Sequence, residues 1–345
     1  MRKRVLAVVF VLGMVCCAFS PGAAAQAPST CFTTTTWWFP LQIPIGWSYY
    51  GGYPGTYTYV IWAWKGGCPS PSAGDEVCLS CQQGGAAAGR PINLATGNTY
   101  IQENDLRIPG LSGGLSLVRS WNSKWPASQS ALQVGLFGPN WRSTYEEQVF
   151  VGSDNYIKYA RSDGSFWSFG TTGSVQSWSL ASPQNVVVSL TAPSTSAPYW
   201  VMAFQNGEQR RFDSTSGMLT SIIDRNGNTT TLTYDSANRL VTVTDPVSRH
   251  LYFTYGSSSS HLVTGVSSDV SLSLTYSYDS QNRLSVVTNP DLSTLTFAYD
   301  SQSRITSVTD SNGKVLESHT YDSSSRGLTS SRALGVEALS ITYPQ

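Results

Sequence analysis

An aspartate followed four residues later by an arginine could form a charged site, and the chain contains this pair several times. In "TYDSANRLVTVTDP" (Thr233–Pro246), Tyr234 and Asp235 precede Arg239. Similar stretches start at residues 212, 234, 255, 278, 299 and 321, with 21 to 23 residues between neighbouring starts. Self-similarity at a fixed period of about 20–50 residues is typical of repeat architectures. The pattern therefore predicts structural repeat positions, namely Phe212, Asp213, Tyr234, Asp235, Arg239, Tyr255, Tyr278, Asp279, Arg283, Tyr299, Asp300, Arg304, Tyr321, Asp322 and Arg326.

Other residue types that support catalysis or metal binding show no comparable pattern. His250, His261 and His319 all lie inside repeats with different neighbours, which favours ordinary strand positions over a general base. Glu146 and Glu147 are adjacent, so on a strand they point to opposite faces and lack the mutual reach of an acid–base pair. One aspartate per repeat supplies too few of the about six to eight oxygens that Ca²⁺ needs. We predict no enzyme activity, no metal site and no cofactor.

Each repeat has the composition of a β-hairpin. A strand such as "TTLTY" enters the loop "DSAN", and "RLVTVT" returns. Aspartate can bond the backbone two residues further on, and asparagine tolerates the left-handed conformation near the end of a loop. An exposed ion pair contributes only about 0–1 kcal/mol. The Asp–Arg pair is therefore expected to fix the geometry of the loop.

One spacing within the repeat does not fit a flat strand. Leu240 and Val243 recur as Leu284 and Val287, and residues three apart on a flat strand face opposite sides. Either a β-bulge lies between them or both faces of the sheet are partly covered.

The segment from residue 91 to residue 205 also predicts β-structure. Short alternating runs are separated by turns such as Asp163-Gly164, a strong hairpin dipeptide. No segment of about 12 residues places its apolar residues at a helical period. The predicted fold class is all-β.

The N-terminus has the features of a secretory signal peptide. Three basic residues precede the apolar run Val5–Phe19, and Ala23–Ala25 offers a small-residue cleavage site. Val15 precedes Cys16 where lipid attachment prefers a small residue, so plain secretion is favoured over a lipoprotein. No later apolar run approaches the about 20 residues of a membrane span.

The charge of the exported chain argues against a nucleic-acid partner. The signal contains three of the 21 basic residues, which leaves 18 against 21 acidic residues and a net charge near −3. A nucleic-acid surface needs a basic stripe. Charged residues form 12% of the chain, about half of the usual ~25%, as expected for a β-rich extracellular protein with polar, uncharged faces.

Four cysteines remain after signal removal: Cys31, Cys68, Cys78 and Cys81. An even number in an exported protein predicts disulfides, with three possible connectivities. The "CLSC" spacing would also suit a four-cysteine zinc site. A redox centre requires a βαβ context that the loop-like flanks do not provide, so disulfides are favoured.

Residues 27–65 are dense in aromatic residues and carry a single charge, Lys65. Prolines and glycines interrupt any helical period, so short strands or extended loops are expected. The aromatic residues could form a sugar-binding or surface-binding patch, or a cover that packs on the following domain. The cover is favoured because aromatic residues chiefly supply buried area. Gly84–Arg90 has the composition of a linker.

The units "YDSANRLVTVTDP" and "YDSQNRLSVVTNP" resemble the YD repeats of rearrangement hot spot (RHS) proteins. "DRNGNTTTLTYD" is similar to the usual entry into those repeats, and "PINLATGN", "LSLVRSWNS" and "FGPNW" resemble the domain of unknown function that commonly precedes them. The resemblance covers residues 91–345. It implies β-hairpins that form a curved open sheet or partial β-shell, with a β-rich domain before it.

RHS proteins are thought to enclose a toxic polypeptide in such a shell, and their C-terminal part carries a conserved core, a self-cleaving aspartate site and a variable toxin. The chain resembles the first part of such a protein without these C-terminal segments. The implied partners are further RHS repeats or a toxin cargo encoded separately.

These observations predict four parts: a signal peptide (1–25), an aromatic and cysteine-rich region with a linker (26–90), a β-rich domain (91–205) and truncated YD repeats (206–345). The expected function is that of a secreted, non-catalytic structural module, as a fragment or remnant of a toxin-encapsulating or cell-surface delivery protein. The alternative is an extracellular adhesin that binds cell-surface glycans through residues 37–64.

Overall fold

The computed structural model describes residues 32–39, 57–64, 87–88, 92–171, 177–182, 187–332 and 336–343. The signal peptide and the four cysteines lie outside these described residues. The chain divides into two compact units, Met1–Pro69 and Ser70–Gln345. In the first unit, β1 (Phe32–Phe39) and β2 (Tyr57–Trp64) form an antiparallel pair.

The described part of the second unit consists of short strands and two 3-10 helices, Leu111–Gly113 and Ala127–Leu132. The strands that precede the repeats are β3 (Ala87–Ala88), β4 (Ile92–Asn93), β5 (Tyr100–Ile108), β6 (Leu115–Asn122), β7 (Val134–Gly135), β8 (Gly138–Pro139), β9 (Trp141–Ser143), β10 (Gln148–Val151), β11 (Tyr156–Ala160), β12 (Phe166–Thr171), β13 (Ser177–Ser182), β14 (Val188–Thr191) and β15 (Tyr199–Phe204). The repeat strands are β16 (Gln209–Asp213), β17 (Leu219–Ile223), β18 (Thr229–Tyr234), β19 (Leu240–Thr244), β20 (His250–Tyr255), β21 (Val263–Ser268), β22 (Ser273–Tyr278), β23 (Leu284–Thr288), β24 (Thr294–Tyr299), β25 (Ile305–Asp310), β26 (Val315–Tyr321), β27 (Gly327–Arg332) and β28 (Val336–Ser340).

The strands β10 to β28 form one sheet in which every strand pairs with the next in sequence. The described pairings along this sheet are antiparallel, so the hairpins follow one another in sequence order as a meander. Backbone bonds also join the start of this sheet to a repeat turn, because Val149 donates to the Gly217 carbonyl and Leu219 donates to the Glu147 carbonyl. The all-β repeat architecture predicted from the sequence is confirmed.

A β-bulge explains the spacing of three between apolar residues. Thr233 pairs with Thr242, but Tyr234 pairs with Leu240, which leaves Val241 as an extra residue. The same shift occurs in the later hairpins, for example at Tyr278 and Tyr299. The extra residue returns the strand to its original face, so both apolar residues of each returning strand are buried.

The repeats share a single hydrophobic core with the segment before them. One face of the sheet, termed the core face, carries a buried apolar side chain near the middle of β18, β20, β22 and β24. These side chains are Leu232, Phe253, Tyr276 and Phe297. Strands β5, β6 and β9 form a small separate sheet, and their buried residues belong to the same core.

Candidate functional site

Each Tyr–Asp pair precedes a hairpin turn, and its aspartate closes that turn. Asp235 Oδ1 accepts the backbone N–H of Ala237 at 2.9 Å and of Arg239 at 3.0 Å. Asn238 adopts the left-handed conformation with φ of 58°, which asparagine tolerates. Arg239 Nε donates to Asp235 Oδ2 at 2.7 Å, and this hydrogen bond lowers the pKa of Asp235. The same Arg–Asp bond forms in the turns of Asp279, Asp300 and Asp322.

The arginine of each turn also contacts the next repeat. The Arg283 guanidinium lies 4.8 Å from the centroid of the Tyr299 ring, and its Nη1 donates to the Asp300 carbonyl at 3.1 Å. A guanidinium within about 6 Å of an aromatic face is attracted by the ring quadrupole. The equivalent pairs are Arg239–Tyr255 at 4.7 Å, Arg304–Tyr321 at 4.8 Å and Arg326–Tyr343 at 4.3 Å.

The tyrosine hydroxyl of each repeat bonds back to the repeat before it. Tyr299 donates to the Leu284 carbonyl at 2.8 Å. Burial raises the pKa of Tyr299 above its usual range, so the hydroxyl stays a protonated donor. The equivalent bonds, 2.6 to 2.9 Å long, are Tyr234 to Leu219, Tyr255 to Leu240, Tyr278 to Val263, Tyr321 to Ile305 and Tyr343 to Gly327.

Two repeats depart from this pattern. Phe212 has no hydroxyl and is fully buried, and Asp213 accepts bonds from the backbone of Thr215 and Ser216 in place of an arginine. In the repeat that starts at Tyr255 the loop is longer, and Leu262 occupies the arginine position. The polar groups at the other repeat positions are engaged within the protein, which suits them to holding the sheet together.

The domain before the repeats covers the core face through a buried ion pair. Arg119 donates Nε to Asp105 Oδ2 at 2.5 Å and Nη2 to Oδ1 at 2.8 Å, and both side chains are at most 3% exposed. Burial lowers the pKa of Arg119, but the charge and hydrogen bonds of Asp105 outweigh it and raise the pKa overall. Tyr276 in the repeats donates its hydroxyl to the same carboxylate at 2.6 Å. The ion pair therefore links the domain to the hairpin β22–β23, which contains Tyr276.

Aromatic rings surround this arginine. Its guanidinium lies 4.7 Å from the ring centroid of Trp141 and 5.5 Å from those of Phe137 and Tyr276. Phe137 packs on Tyr276 at 4.8 Å, and Trp141 packs edge-on against Phe297 at 5.4 Å. Each of these ring pairs joins one residue of the domain to one of the repeats.

The first turn of the domain contacts the last Tyr–Asp turn. Gly327 donates its N–H to the Gly97 carbonyl at 2.8 Å, and Ser123 Oγ donates to the Ser325 carbonyl at 3.0 Å. Gly97 has φ of 73°, and a Cβ there would lie 2.6 Å from the Arg326 Cβ. The glycine of "ATGN" therefore permits close contact between this turn and the last Tyr–Asp turn.

The hairpin β26–β27 has polar residues where other repeats have apolar ones. Glu317 and His319 occupy the positions of Leu274 and Tyr276 in β22. Both are 2% exposed, and Ser330, which pairs with His319 across the strands, is 0% exposed. His319 Nε2 lies 3.3 Å from Glu317 Oε2. Serine, histidine and glutamate are the residue types of a hydrolytic triad, but all three are buried in the core.

Alignment of the repeats would have revealed this buried cluster, whereas sequence reasoning treated His319 as an ordinary strand residue. The other two histidines lie apart from it. His250 Nδ1 contacts Asp269 Oδ2 at 2.7 Å on the outer face, and His261 is exposed in a loop. Within the described ranges, no three His, Cys, Asp or Glu side chains gather as a metal site.

The adjacent glutamates lie in the connection between β9 and β10, not on a strand as expected, and their side chains have different partners. Glu146 Oε1 accepts the Leu136 N–H at 2.6 Å. Glu147 Oε2 accepts the Tyr159 hydroxyl at 2.7 Å and pairs with Arg210 at 2.6 Å. They do not form an acid–base pair. No helix in the part of the chain that the structure describes is long and apolar enough to cross a membrane.

Comparison with known families agrees with this repeat geometry. The family described as RHS Repeat matches residues 213–249, and the Domain of unknown function (DUF6531) matches residues 89–169. Residues 213–249 therefore match an RHS repeat, and the same Tyr–Asp turn recurs in the hairpins that follow them. The RHS segment begins at the first Tyr–Asp-like turn, and the DUF6531 segment contains the ion pair, the rings of β6 and β9, and the turn at Gly97.

Curated relatives match this chain over part of its length. The tRNA nuclease WapA of Bacillus subtilis (strain 168) is 29% identical over 151 residues, which are 43% of this chain and 6% of that protein. The tRNA3(Ser)-specific nuclease WapA of Bacillus spizizenii is 30% identical over the same shares. The aligned stretch thus spans a small fraction of these relatives.

Solved structures similar to this chain include two Tc toxin assemblies. The Photorhabdus luminescens Tc holotoxin pore matches with a TM-score of 0.31 and 12% identity, over 67% of this chain and 14% of that chain. The TcdB2-TccC3 crystal structure matches with a TM-score of 0.28 and 18% identity, over 76% of this chain and 13% of that chain.

Proposed function

We propose that the chain is a non-catalytic structural module of an exported RHS protein that shields or delivers a polypeptide cargo. The observation that carries this proposal is that the tyrosine and arginine residues recurring in the repeats form bonds between neighbouring hairpins. Each Arg–Tyr stack and each tyrosine hydrogen bond joins one repeat to its neighbour. Such nearest-neighbour bonds suit a β-sheet that can be extended by adding further repeats.

The DUF6531 segment is proposed to cover the core face of this sheet where it contacts the hairpins of Tyr278 and Tyr299. It covers the core face through Arg119 and Trp141, so a cargo would have to lie against further repeats. In this proposal, the β-rich domain (91–205) expected from the sequence supplies the cover over the core face, and the repeats (206–345) extend the sheet that begins at β10.

The proposed partner, further RHS repeats or a toxin cargo, is testable by sequencing the DNA downstream of codon 345. If YD repeats and a cargo domain are encoded there, co-expression should protect the cargo from added protease. The control is cargo expressed without the chain. Equal digestion of the cargo with and without the chain would contradict the shielding role.

The proposed absence of catalysis is tested with tRNA, because the curated relatives are named as tRNA nucleases. Purified chain incubated with total tRNA should leave it intact at enzyme-to-substrate ratios that detect a control ribonuclease. Cleavage that co-purifies with the folded chain would refute the non-catalytic role.

A second candidate is a glycan-binding adhesin. Pairing of β1 with β2 brings two aromatic-rich stretches side by side, with Trp37 opposite Tyr59 in the register. A glycan array of the chain with and without residues 37–64 tests this function. Binding that survives the deletion would remove that segment from the adhesin hypothesis.

A further inference from the structure

A short hairpin of the DUF6531 segment contacts the repeats through its turn. Strands β7 and β8 pair at Gly135 and Gly138, so Leu136 and Phe137 form the two-residue turn between them. This turn is termed the tip. The Leu136 carbonyl accepts the Val263 N–H of β21 at 2.9 Å, which bonds the tip to the hairpin β20–β21.

The neighbouring hairpin, β22–β23, also contacts the tip. The Tyr278 hydroxyl lies 3.4 Å from the Leu136 carbonyl oxygen. The ring of Phe137 packs on the ring of Tyr276, with 4.8 Å between their centroids. The tip therefore joins two hairpins of the repeats to the domain before them.

A buried carboxylate holds the tip from the side of the domain. Glu146 Oε1 accepts the Leu136 N–H at 2.6 Å, so the Leu136 backbone is bonded to Glu146 through its N–H and to Val263 through its carbonyl. Gly135 permits this approach, because a Cβ there would lie 2.6 Å from Glu146 Oε1. Leu136, Glu146 and Val263 together are termed the clip.

The surroundings of Glu146 favour its neutral form. Its side chain is 6% exposed, and within the described residues its Oε2 is buried without a hydrogen-bond partner. Arg142 Nη1 lies 3.5 Å from Oε1, which is longer than a normal N–H···O hydrogen bond. Burial raises the pKa of Glu146, and the charge of Arg142 and nearby hydrogen-bond donors lower it by less.

The titratable groups that lie near Glu146 in the repeats are tyrosine hydroxyls. Burial raises the pKa of Tyr234, Tyr255 and Tyr278, and the negative charge of Glu146 raises it further. Each of these hydroxyls donates to a backbone carbonyl of the preceding repeat at 2.6 to 2.7 Å. A hydroxyl has one proton to donate, so these tyrosines do not stabilise an ionised Glu146.

Protonation of Glu146 would leave the other bonds of the clip in place. A neutral carboxyl group still accepts the Leu136 N–H through its carbonyl oxygen, and the cost of a buried charge is removed. Arg142 keeps two other partners, because its Nη2 donates to the Leu132 carbonyl and its guanidinium lies 5.4 Å from the ring centroid of Trp125.

We propose that the clip is pH-sensitive: the neutral carboxyl group of Glu146 holds the tip on the repeats, and ionisation of Glu146 loosens it. Because the pKa of Glu146 is raised, its stabilisation is complete below the unfolded pKa of about 4.3 and is lost as pH rises through the folded pKa. Mild acid therefore strengthens the contact between the DUF6531 segment and the repeats. The clip acts in this way whether or not the chain shields a cargo.

The test is hydrogen exchange of the Val263 amide in the full chain, because this N–H is bonded to Leu136 while the tip is in place. Its protection factor, which corrects for the intrinsic pH dependence of exchange, should fall about tenfold or more from about pH 5 to about pH 8. Each unit by which the pKa is raised changes the opening equilibrium about tenfold. Glu146→Gln stays neutral and keeps an acceptor for Leu136, so its protection should change little with pH and should exceed that of the wild type at about pH 8.

The matched control is Glu208→Gln, in the turn between β15 and β16, where the glutamate side chain is 31% exposed. This variant should keep the pH dependence of the wild type. An equal fall of protection in Glu146→Gln and the wild type, or protection that rises with pH in the wild type, would overturn the proposal.

A direct titration tests the clip without any substitution. The NMR resonance of the Glu146 carboxyl carbon in the wild type should titrate above the usual glutamate pKa of about 4.3. Titration at or below that value would also overturn the proposal, whether or not the Glu146→Gln chain folds.

Discussion

Replacement of Arg119 by methionine tests whether the DUF6531 segment is held on the repeats by its buried ion pair. Methionine retains the aliphatic volume between the rings but removes both bonds to Asp105, whose side chain is 3% exposed. The carboxylate would keep the Tyr276 hydroxyl as a donor but would lose its buried counter-charge. Removing one partner of a buried pair costs about 3–5 kcal/mol.

For a unit of this size, about 1 kcal/mol corresponds to roughly 2–4 °C in the unfolding temperature. We therefore expect a fall of about 6–20 °C for Arg119→Met, measured by calorimetry and by tryptophan fluorescence. Arg107→Met is the matched control, because Arg107 lies exposed on the neighbouring strand and its loss should change little.

The double variant Arg119→Met with Asp105→Leu separates pairing from packing. Replacement of a whole buried ion pair by apolar residues is often neutral or stabilising by about 1–4 kcal/mol, so the double variant should recover most of the loss. A fall of less than about 1 kcal/mol in the single variant would refute this reasoning. So would a double variant as unstable as the single one.

Tyr299→Phe removes a buried inter-repeat hydrogen bond and should lower the free energy of unfolding in urea by about 1–2 kcal/mol. Tyr252→Phe on the outer face should lower it less. Equal losses would contradict a stabilising role for the tyrosine bonds between repeats. The double variant Glu317→Leu with His319→Phe restores the apolar pattern of the other repeats and should raise the free energy of unfolding by about 1–4 kcal/mol. A lower guanidinium concentration at the unfolding midpoint would show instead that the buried pair stabilises the protein. The lowered pKa of Asp235 means that its stabilisation is complete above the unfolded pKa of about 3.9 and is lost as pH falls through the folded pKa. Asp235→Asn should therefore flatten the acid-unfolding curve, and an unchanged slope would count against the turn mechanism.

The sequence predicted the hairpins because their determinants are local. Asp235 and Asn238 belong to one turn, and each acts on backbone groups within four residues. A spacing of three between Leu240 and Val243 is compatible with either a bulge or two partly covered faces, so local sequence does not determine the bulge. Only the pairing of Tyr234 with Leu240 decides between them.

The contacts between repeats could not be predicted in the same way. Arg283 and Tyr299 are 16 residues apart, and they meet only because the hairpins containing them are adjacent in the sheet. The packing of Trp141 on Phe297 depends on how the DUF6531 segment lies on the core face, for which no short-range pattern exists. The burial of His319 does not follow from its local sequence, and only alignment of β26 with the equivalent strands of other repeats places it at a core position.

The irregular repeat shows why the two segments form one folding unit. Leu262 replaces the arginine there, and no arginine lies over Tyr278 in the described residues. At that point the DUF6531 segment supplies the missing contact, because the Leu136 carbonyl accepts the Val263 N–H at 2.9 Å and lies 3.4 Å from the Tyr278 hydroxyl.

A repeat array is stabilised by the interfaces between neighbouring repeats, so one weak interface would divide it into two cooperative units. The bonds from Leu136 span the weak interface between the hairpins of Tyr255 and Tyr278. The domain therefore both covers the core face and restores the coupling between neighbouring hairpins where the repeat sequence interrupts it.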